Sequence, residues 1–538
     1  MPNLRWSTIS SRTVEIAKAS GKRKAHPDEL LALFDAGIED ILRGQFGETG
    51  SAFMAMSRPW LSLIHALGEG NTSANAHDPS RKEMGRAITA IALFAQRLSL
   101  NVALSIRQAM DFEDRRRAMR RSDGKDAGQG APPDSPPSID AYRRIIRQAD
   151  ENFRQSARES LFDEALDEAF AALLQWLESD PDAAAGIART LSAPATDFDP
   201  RSSISSKARR SANFEERILD GGDILTRRRA CSPKNADALI IPGFFASSSL
   251  FDLDPTCSAM ATLTRHGIDC WMLERGDRRK GCGSLGQQIK AIDRALDAVH
   301  GFRDPPSCKA PHRPALIGHF HGGTLALLHC LAHPGKAGAL ITLSTPIDFA
   351  SEDDLLSHWL RGLEGERLIK LFKELPGGLS ALLTKMISPL HDDGQGLSAL
   401  PTTMDRTRSR HRERLEIARR IPPGFPGRCF LSMQRMLYRD NALMTKGIAL
   451  GERFEEEAAM GGVRSASLDD LDLPILNVVG REDRIVPPDA SRPLAEIAAN
   501  ASHTLLEYDG GHFDLFGDKA THERVFARIA DWLGQGGA

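Results

Sequence analysis

The spacing of apolar positions changes along the chain and divides it into regions. From residue 1 to about 120, apolar and polar positions alternate at helical intervals, as in DELLALFDAGIEDILRGQF (28–46) and MGRAITAIALFAQRLSLNVALSIRQAMDF (84–112), which predicts an all-helical N-terminal region over 1–112. Residues 113–138, EDRRRAMRRSDGKDAGQGAPPDSPPS, pass from a basic run to Gly, Pro, Asp and Ser, a composition that buries no core and reads as a linker. The basic run itself reads as a solvated helix end rather than a docking patch for an anionic surface. Helical spacing returns over 139–200, clearest in YRRIIRQADENFRQSARESLFDEALDEAFAALLQWLES, and predicts amphipathic helix.

From about 225 to 538 the period shortens. ADALIIPGF, GIDCWMLER, PALIGHF, AGALITLS and LPILNVVGRED are short, nearly continuous apolar runs bounded by turn residues, most of them separated by helical segments. That alternation predicts an α/β domain: a mostly parallel sheet with helices on both faces. Between LSTPIDFA and LPILNVVG lies an insertion of about 350–465, much of it helical and charged, placed where it would cap the carboxyl ends of the strands.

Composition excludes more than it selects. A net charge of −3 over 538 residues gives no general attraction to nucleic acid. No apolar run approaches the roughly 18–20 residues of a transmembrane helix. The opening thirty residues contain no apolar core, so no secretory leader is expected. All seven cysteines lie between Cys231 and Cys429, an odd, scattered set that reads as reduced thiols in a cytoplasm. No C-x-x-C or His/Cys cluster shows zinc-site spacing, so neither a metal nor another cofactor is expected.

Candidate chemistry centres on LIGHFHGGTLAL. A strand, a tight Gly-rich turn and a helix form the layout of a nucleophile elbow, G-x-Nu-x-G. Gly318, Gly322 and Gly323 supply the turn, but Phe320 fills the nucleophile position and offers no nucleophilic atom. Two further strand-end turns follow in triad order: Asp483 after ILNVVG and His512 in DGGHF. Asp483 would accept from one ring nitrogen of His512 and leave the other facing the elbow. The amide of His321, and one from the turn around Phe244 or Phe245, are the expected oxyanion donors. His319 and His321 are expected to point away from residue 320 as structural side chains. Cys330, Cys308 and Ser344 are the other nucleophiles nearby, each poorly placed: Cys330 is about 15 Å along the helix, Cys308 lies at the wrong end of the strand, and no elbow exposes Ser344.

The last 310 or so residues resemble the polyhydroxyalkanoate synthases. The resemblance rests on ALIIPGFFASSSLFDLDP, LIGHFHGGTLAL, LSTPIDFA with Asp348, RCFLSMQRMLYRDNALMTKGIAL, LPILNVVGREDRIVPP and GGHFDLF, in order. It implies an α/β-hydrolase core, a hydroxyacyl-CoA substrate or ligand, a second synthase subunit or a homodimer as partner, and a cytoplasmic location at a polyester granule surface. It also implies that His512 is the base, that Asp483 orients it or activates a hydroxyl, and that a Cys thiolate belongs where Phe320 stands. LERGDRRKG (273–281) departs from the family, which usually has a Trp-containing turn there. The expectation is a synthase-like protein impaired or inactive in acyl transfer. The alternatives are an acyltransferase or hydrolase using another nucleophile, a cofactor-free His–Asp enzyme of the dioxygenase or lyase type, and a non-catalytic granule- or partner-binding protein.

Overall fold

The computed structural model describes residues 79–122, 139–157, 163–192, 214–220, 222–231, 236–245, 247–254, 256–274, 283–301, 313–387, 415, 424–445, 447–450 and 464–536. The expected helices over 1–78, the Pro/Gly/Ser-rich part of the linker, the departing turn at 275–281, the charged segment 406–414 and Cys308 lie outside the described residues. The chain forms two compact units, 1–190 with 388–400, and 191–387 with 401–538.

The first unit contains helices α1 (Pro79–Ser122), α2 (Ile139–Ser156), α3 (Asp163–Ser179) and α4 (Pro181–Ser192). Helix α1 packs against α2 and α3, with Ile106, Ala109, Ile145 and Ala149 at one contact. The linker expected from residue 113 begins later, because α1 continues to Ser122 and carries the basic run. The reason is local: Glu113 is buried and faces Arg116 at 3.7 Å and Arg117 at 3.9 Å, one turn on. Arg144 of α2 donates to the same carboxylate at 2.6 Å and holds its pKa below the usual range.

The second unit is built on an eight-stranded sheet: β1 (Phe214–Ile218), β2 (Ile224–Arg228), β3 (Ala236–Ile241), β4 (Ile268–Glu274), β5 (Ala315–His319), β6 (Ala339–Leu343), β7 (Ile475–Gly480) and β8 (His503–Tyr508). Their order across the sheet is β1-β2-β4-β3-β5-β6-β7-β8. The β1–β2 and β2–β4 pairs are antiparallel and the rest parallel. Every residue of β5, β6 and β7 is buried, as the continuous apolar runs require of strands covered on both faces. Each fully buried Leu or Ile there contributes about 1.5–3 kcal/mol. The edge strand β1, FEERI, is mostly charged, which discourages pairing with another chain.

Helices α5 (Ala259–Arg265), α6 (Leu285–Gly301) and α7 (His321–Ala332) alternate with these strands. Helix α7 is buried along nearly all its length, and its apolar residues surround the axis, as in a helix enclosed by other elements. Between β6 and β7 come α8 (Leu355–Gly362), α9 (Gly365–Phe372), α10 (Gly377–Ile387) and α11 (Gly427–Met433), which form the cap insertion. Helix α11 runs on into a π-helical turn, Gln434–Arg439. The Gln434 amide donates to the Leu360 and Leu363 carbonyls at 2.7 and 2.8 Å, satisfying the end of α8. A last helix, α12 (Lys519–Gly534), packs on α5.

Candidate active site

The elbow joins β5 to α7. Phe320 sits at the turn with φ 52° and ψ −121°, a backbone conformation that side chains rarely adopt. Such a residue carries about 1–3 kcal/mol of strain and persists only where its surroundings impose it. Here they do. The Phe320 amide donates to the Leu343 carbonyl of β6 at 3.0 Å, and its own carbonyl accepts from Gly323 and Thr324 at 3.0 and 3.2 Å. A Cβ on Gly318 would collide with the Gly322–Gly323 backbone, and one on Gly322 with the Ile241 carbonyl of β3. Gly323 is pressed against the Thr345 side chain. These glycines are where strand and helix cross.

Asp483 and His512 meet. His512 Nδ1 lies 2.8 Å from Asp483 Oδ2, with both side chains buried. The other carboxylate oxygen accepts from the Ile485 and Val486 amides at 2.9 and 2.8 Å. With Asp483 on Nδ1, Nε2 is the basic atom. The two loops also hold each other: the Glu482 amide donates to the Gly510 carbonyl at 3.0 Å. The His512 loop is tied down by Tyr508, whose hydroxyl donates to the Gly511 carbonyl at 3.0 Å, and by Asp514, which accepts from the Gly511 amide at 2.7 Å.

The Phe320 ring, 3% exposed, stands edge-on to His512 with 5.4 Å between ring centroids. Phe245 lies 5.5 Å from it, while Phe244 stacks on Phe425 of the cap at 4.0 Å. The turn bearing both reaches the elbow: a Cβ on Gly243 would sit 3.6 Å from the His321 amide nitrogen. Beside the ring is a cleft of about 230 Å³, including its open mouth, lined by Gly243, Phe245, His319, Phe320, His512 and Phe513, together with Thr384 of α10 and Ile485.

The expectation that His319 and His321 point away from Phe320 is corrected. The His319 ring packs 4.7 Å from His512 and lines the cleft. Its Nε2 has no hydrogen-bond partner among the described residues. Burial, with His512 and His321 close by, pushes its pKa well below the ordinary value. The His321 ring lies 3.9 Å from that of Phe320, and its Nε2 is 2.6 Å from the Tyr438 hydroxyl. The π-helical turn carries Tyr438 to this contact. Sequence spacing held a weak signal for it, since Tyr438 and Asn441 lie in one of the resembling segments. Asn441 in turn donates to Asp348 at 2.7 Å, so two of those segments join in space.

Of the other nucleophile candidates, neither Cys330 nor Ser344 lines this cleft. Cys330 is buried in α7, and burial raises its thiol pKa to about 12. Ser344 also has a positive φ, 44°, but is buried, with Oγ 3.5 Å from the Tyr508 hydroxyl.

Residues 308–519 match the family model for the alpha/beta hydrolase fold. This is an α/β-hydrolase fold. Among curated proteins, the α/β-hydrolase unit is similar to the poly(3-hydroxyalkanoate) polymerase subunit PhaC of Allochromatium vinosum, at 25% identity over 304 residues, 55% of this chain and 80% of that one. The PhaC subunit of Thiocystis violacea is 23% identical over 308 residues, 56% of this chain and 82% of its own. Among solved structures, a thermophilic esterase from Thermogutta terrifontis aligns at 15% identity and TM-score 0.38, over 61% of this chain and 100% of that one. The second unit thus has the α/β-hydrolase fold and is similar in sequence to PhaC subunits. Among the described residues, no helix is long and apolar enough to cross a membrane.

Proposed function

We propose that this chain is a polyhydroxyalkanoate-synthase-like protein that binds hydroxyacyl thioester or polyester ends but does not carry out covalent acyl transfer. The observation that carries this is the Phe320 ring, buried against His512 at the apex of the elbow. The resemblance puts a Cys at that apex. A ring carbon has no lone pair to attack a thioester carbonyl, and the ring fills the place where that carbonyl would sit. Losing the nucleophile of a triad costs of order 10⁶-fold, leaving about 10³-fold from the oxyanion hole and binding.

In this reading His512 keeps the position of the base, and Asp483 orients it. The amide of His321 and one from the Phe244–Phe245 turn form the oxyanion donors. The ligand is hydroxyacyl-CoA, no other cofactor takes part, and the partner is a catalytic synthase subunit or a second copy of this chain. The location is a cytoplasmic polyester granule.

The experiment compares CoA release from 3-hydroxybutyryl-CoA by the wild type and by Phe320→Cys. The expected result is no release above background for the wild type and a clear gain for the variant. Rapid release by the wild type would overturn the inactive reading. A folded variant with no gain would overturn the idea of a synthase site lacking only its nucleophile.

A further inference from the structure

On the far side of α7 from the elbow, a second group of side chains converges. Asp293 of α6, His329 in the last turn of α7 and His333 just beyond it each bring one ligand atom to a common point, all within 4.8 Å of one another. The two histidines are four residues apart, a spacing that places a pair of imidazoles on one helical face toward a metal. The His333 amide donates to the His329 carbonyl at 2.8 Å, keeping His333 in register with the helix, and the rings lie 4.9 Å apart.

We propose that Asp293, His329 and His333 form a binding site for a divalent transition metal of the zinc class, which ties α6 to the end of α7. His329 Nε2 lies 3.3 Å from Asp293 Oδ1, long for a hydrogen bond to a carboxylate. Two ligands at about 2.1 Å on one tetrahedral zinc are themselves about 3.4 Å apart, so the pair needs little movement to share an ion. Two imidazoles and a carboxylate suit zinc rather than calcium or magnesium, which take all-oxygen sets. His329 is fully buried while Asp293 and His333 are partly exposed, so a fourth position opens to water.

Lys336 competes for the place. Its ammonium sits 2.7 Å from Asp293 and 3.4 Å from the exposed Asp297. An incoming cation displaces it toward Asp297, which leaves both its charge and that of Asp293 compensated. The site is independent of the acyl-transfer chemistry and stands whether or not that reading does.

The test uses the full-length chain. Zn²⁺ is titrated in competition with a chromogenic chelator, and Co²⁺ is added to a parallel sample while its visible absorption is recorded. One equivalent of zinc binds, and cobalt gives the intense bands of a four-coordinate site. Asp293→Asn and His333→Ala, both at partly exposed positions, each weaken binding by roughly 10–100-fold or more, and Lys336→Met tightens it. Circular dichroism confirms that the variants fold. Absence of saturable binding, or binding unchanged in both Asp293→Asn and His333→Ala, overturns the proposal, since the metal would then reside on other histidines.

Discussion

The ring of Phe320 meets the imidazole of His512 edge to face, with 5.4 Å between centroids and 87° between planes. An aromatic pair in this geometry contributes about 0.5–1.5 kcal/mol beyond the area it buries. The side chain that removes the nucleophile is therefore also a packing element, held by Phe245 and His321 as well. Exchanging it has consequences for stability as well as for chemistry.

Phe320→Cys should destabilise the chain by about 2–4 kcal/mol, slightly less than the roughly 3–5 kcal/mol of a buried Phe→Ala change. Denaturant midpoints of the two proteins measure this. A variant as stable as the wild type would mean that the ring is not packed as described.

Asp483→Asn puts an amide where a carboxylate now accepts from two backbone amides and faces His512 Nδ1. The expected cost is about 1–3 kcal/mol, because the Asn side chain fails one of these partners. In the Phe320→Cys background the same change should lower CoA release by about 10³–10⁴-fold, through the loss of the Nε2-basic tautomer. Undiminished release in the double variant would exclude the pair from the chemistry.

Acid should weaken the fold through His319. Its folded pKa is depressed by burial, so below its unfolded value of about 6.5 the unfolded chain takes up a proton that the native state refuses. Stability is unaffected above that pH and falls as pH drops below it, until the folded group also titrates. Plots of unfolding free energy against pH for the wild type and His319→Gln should show the shallower acid limb in the variant. Parallel limbs would contradict the assignment.

Tyr438→Phe deletes the hydroxyl that lies 2.6 Å from His321 Nε2 in a buried setting. A loss of about 1–3 kcal/mol is expected. The His321 side-chain nitrogen resonances should shift as well. Unmoved resonances would mean that the contact does not form in solution.

The parts of this fold legible in the sequence were those set by local pattern. The apolar runs that became β3, β5, β6 and β7 were continuous because both their faces are covered, and the Gly-rich elbow marks itself by its turn residues. Asp483 and His512 were readable because each follows a strand in triad order. What stayed hidden depends on long-range placement. His319 packs on His512 and His321 on Phe320 and Tyr438, partners that come from distant parts of the chain or from the fold of the turn and that a residue pattern does not encode. Asp293 lies 36 residues before His329 on another helix, so a search for ligand spacing within one segment passes over it. Residues 113–122 were grouped with the linker because the Gly- and Pro-rich stretch follows closely, and the pairing of Glu113 with Arg144 of the next helix is a long-range contact that the pattern does not show.

The turn at Phe320 owes its shape to other residues: the Leu343 carbonyl, the Gly318–Gly323 crossing and Gly322 pressed on Ile241. Nothing in that frame requires an aromatic ring at the apex. In evolutionary terms, gain or loss of reactivity here is a single exchange at one codon, reversible while the frame lasts. Loss of the frame would need several glycines to be restored together, and would be much harder to undo.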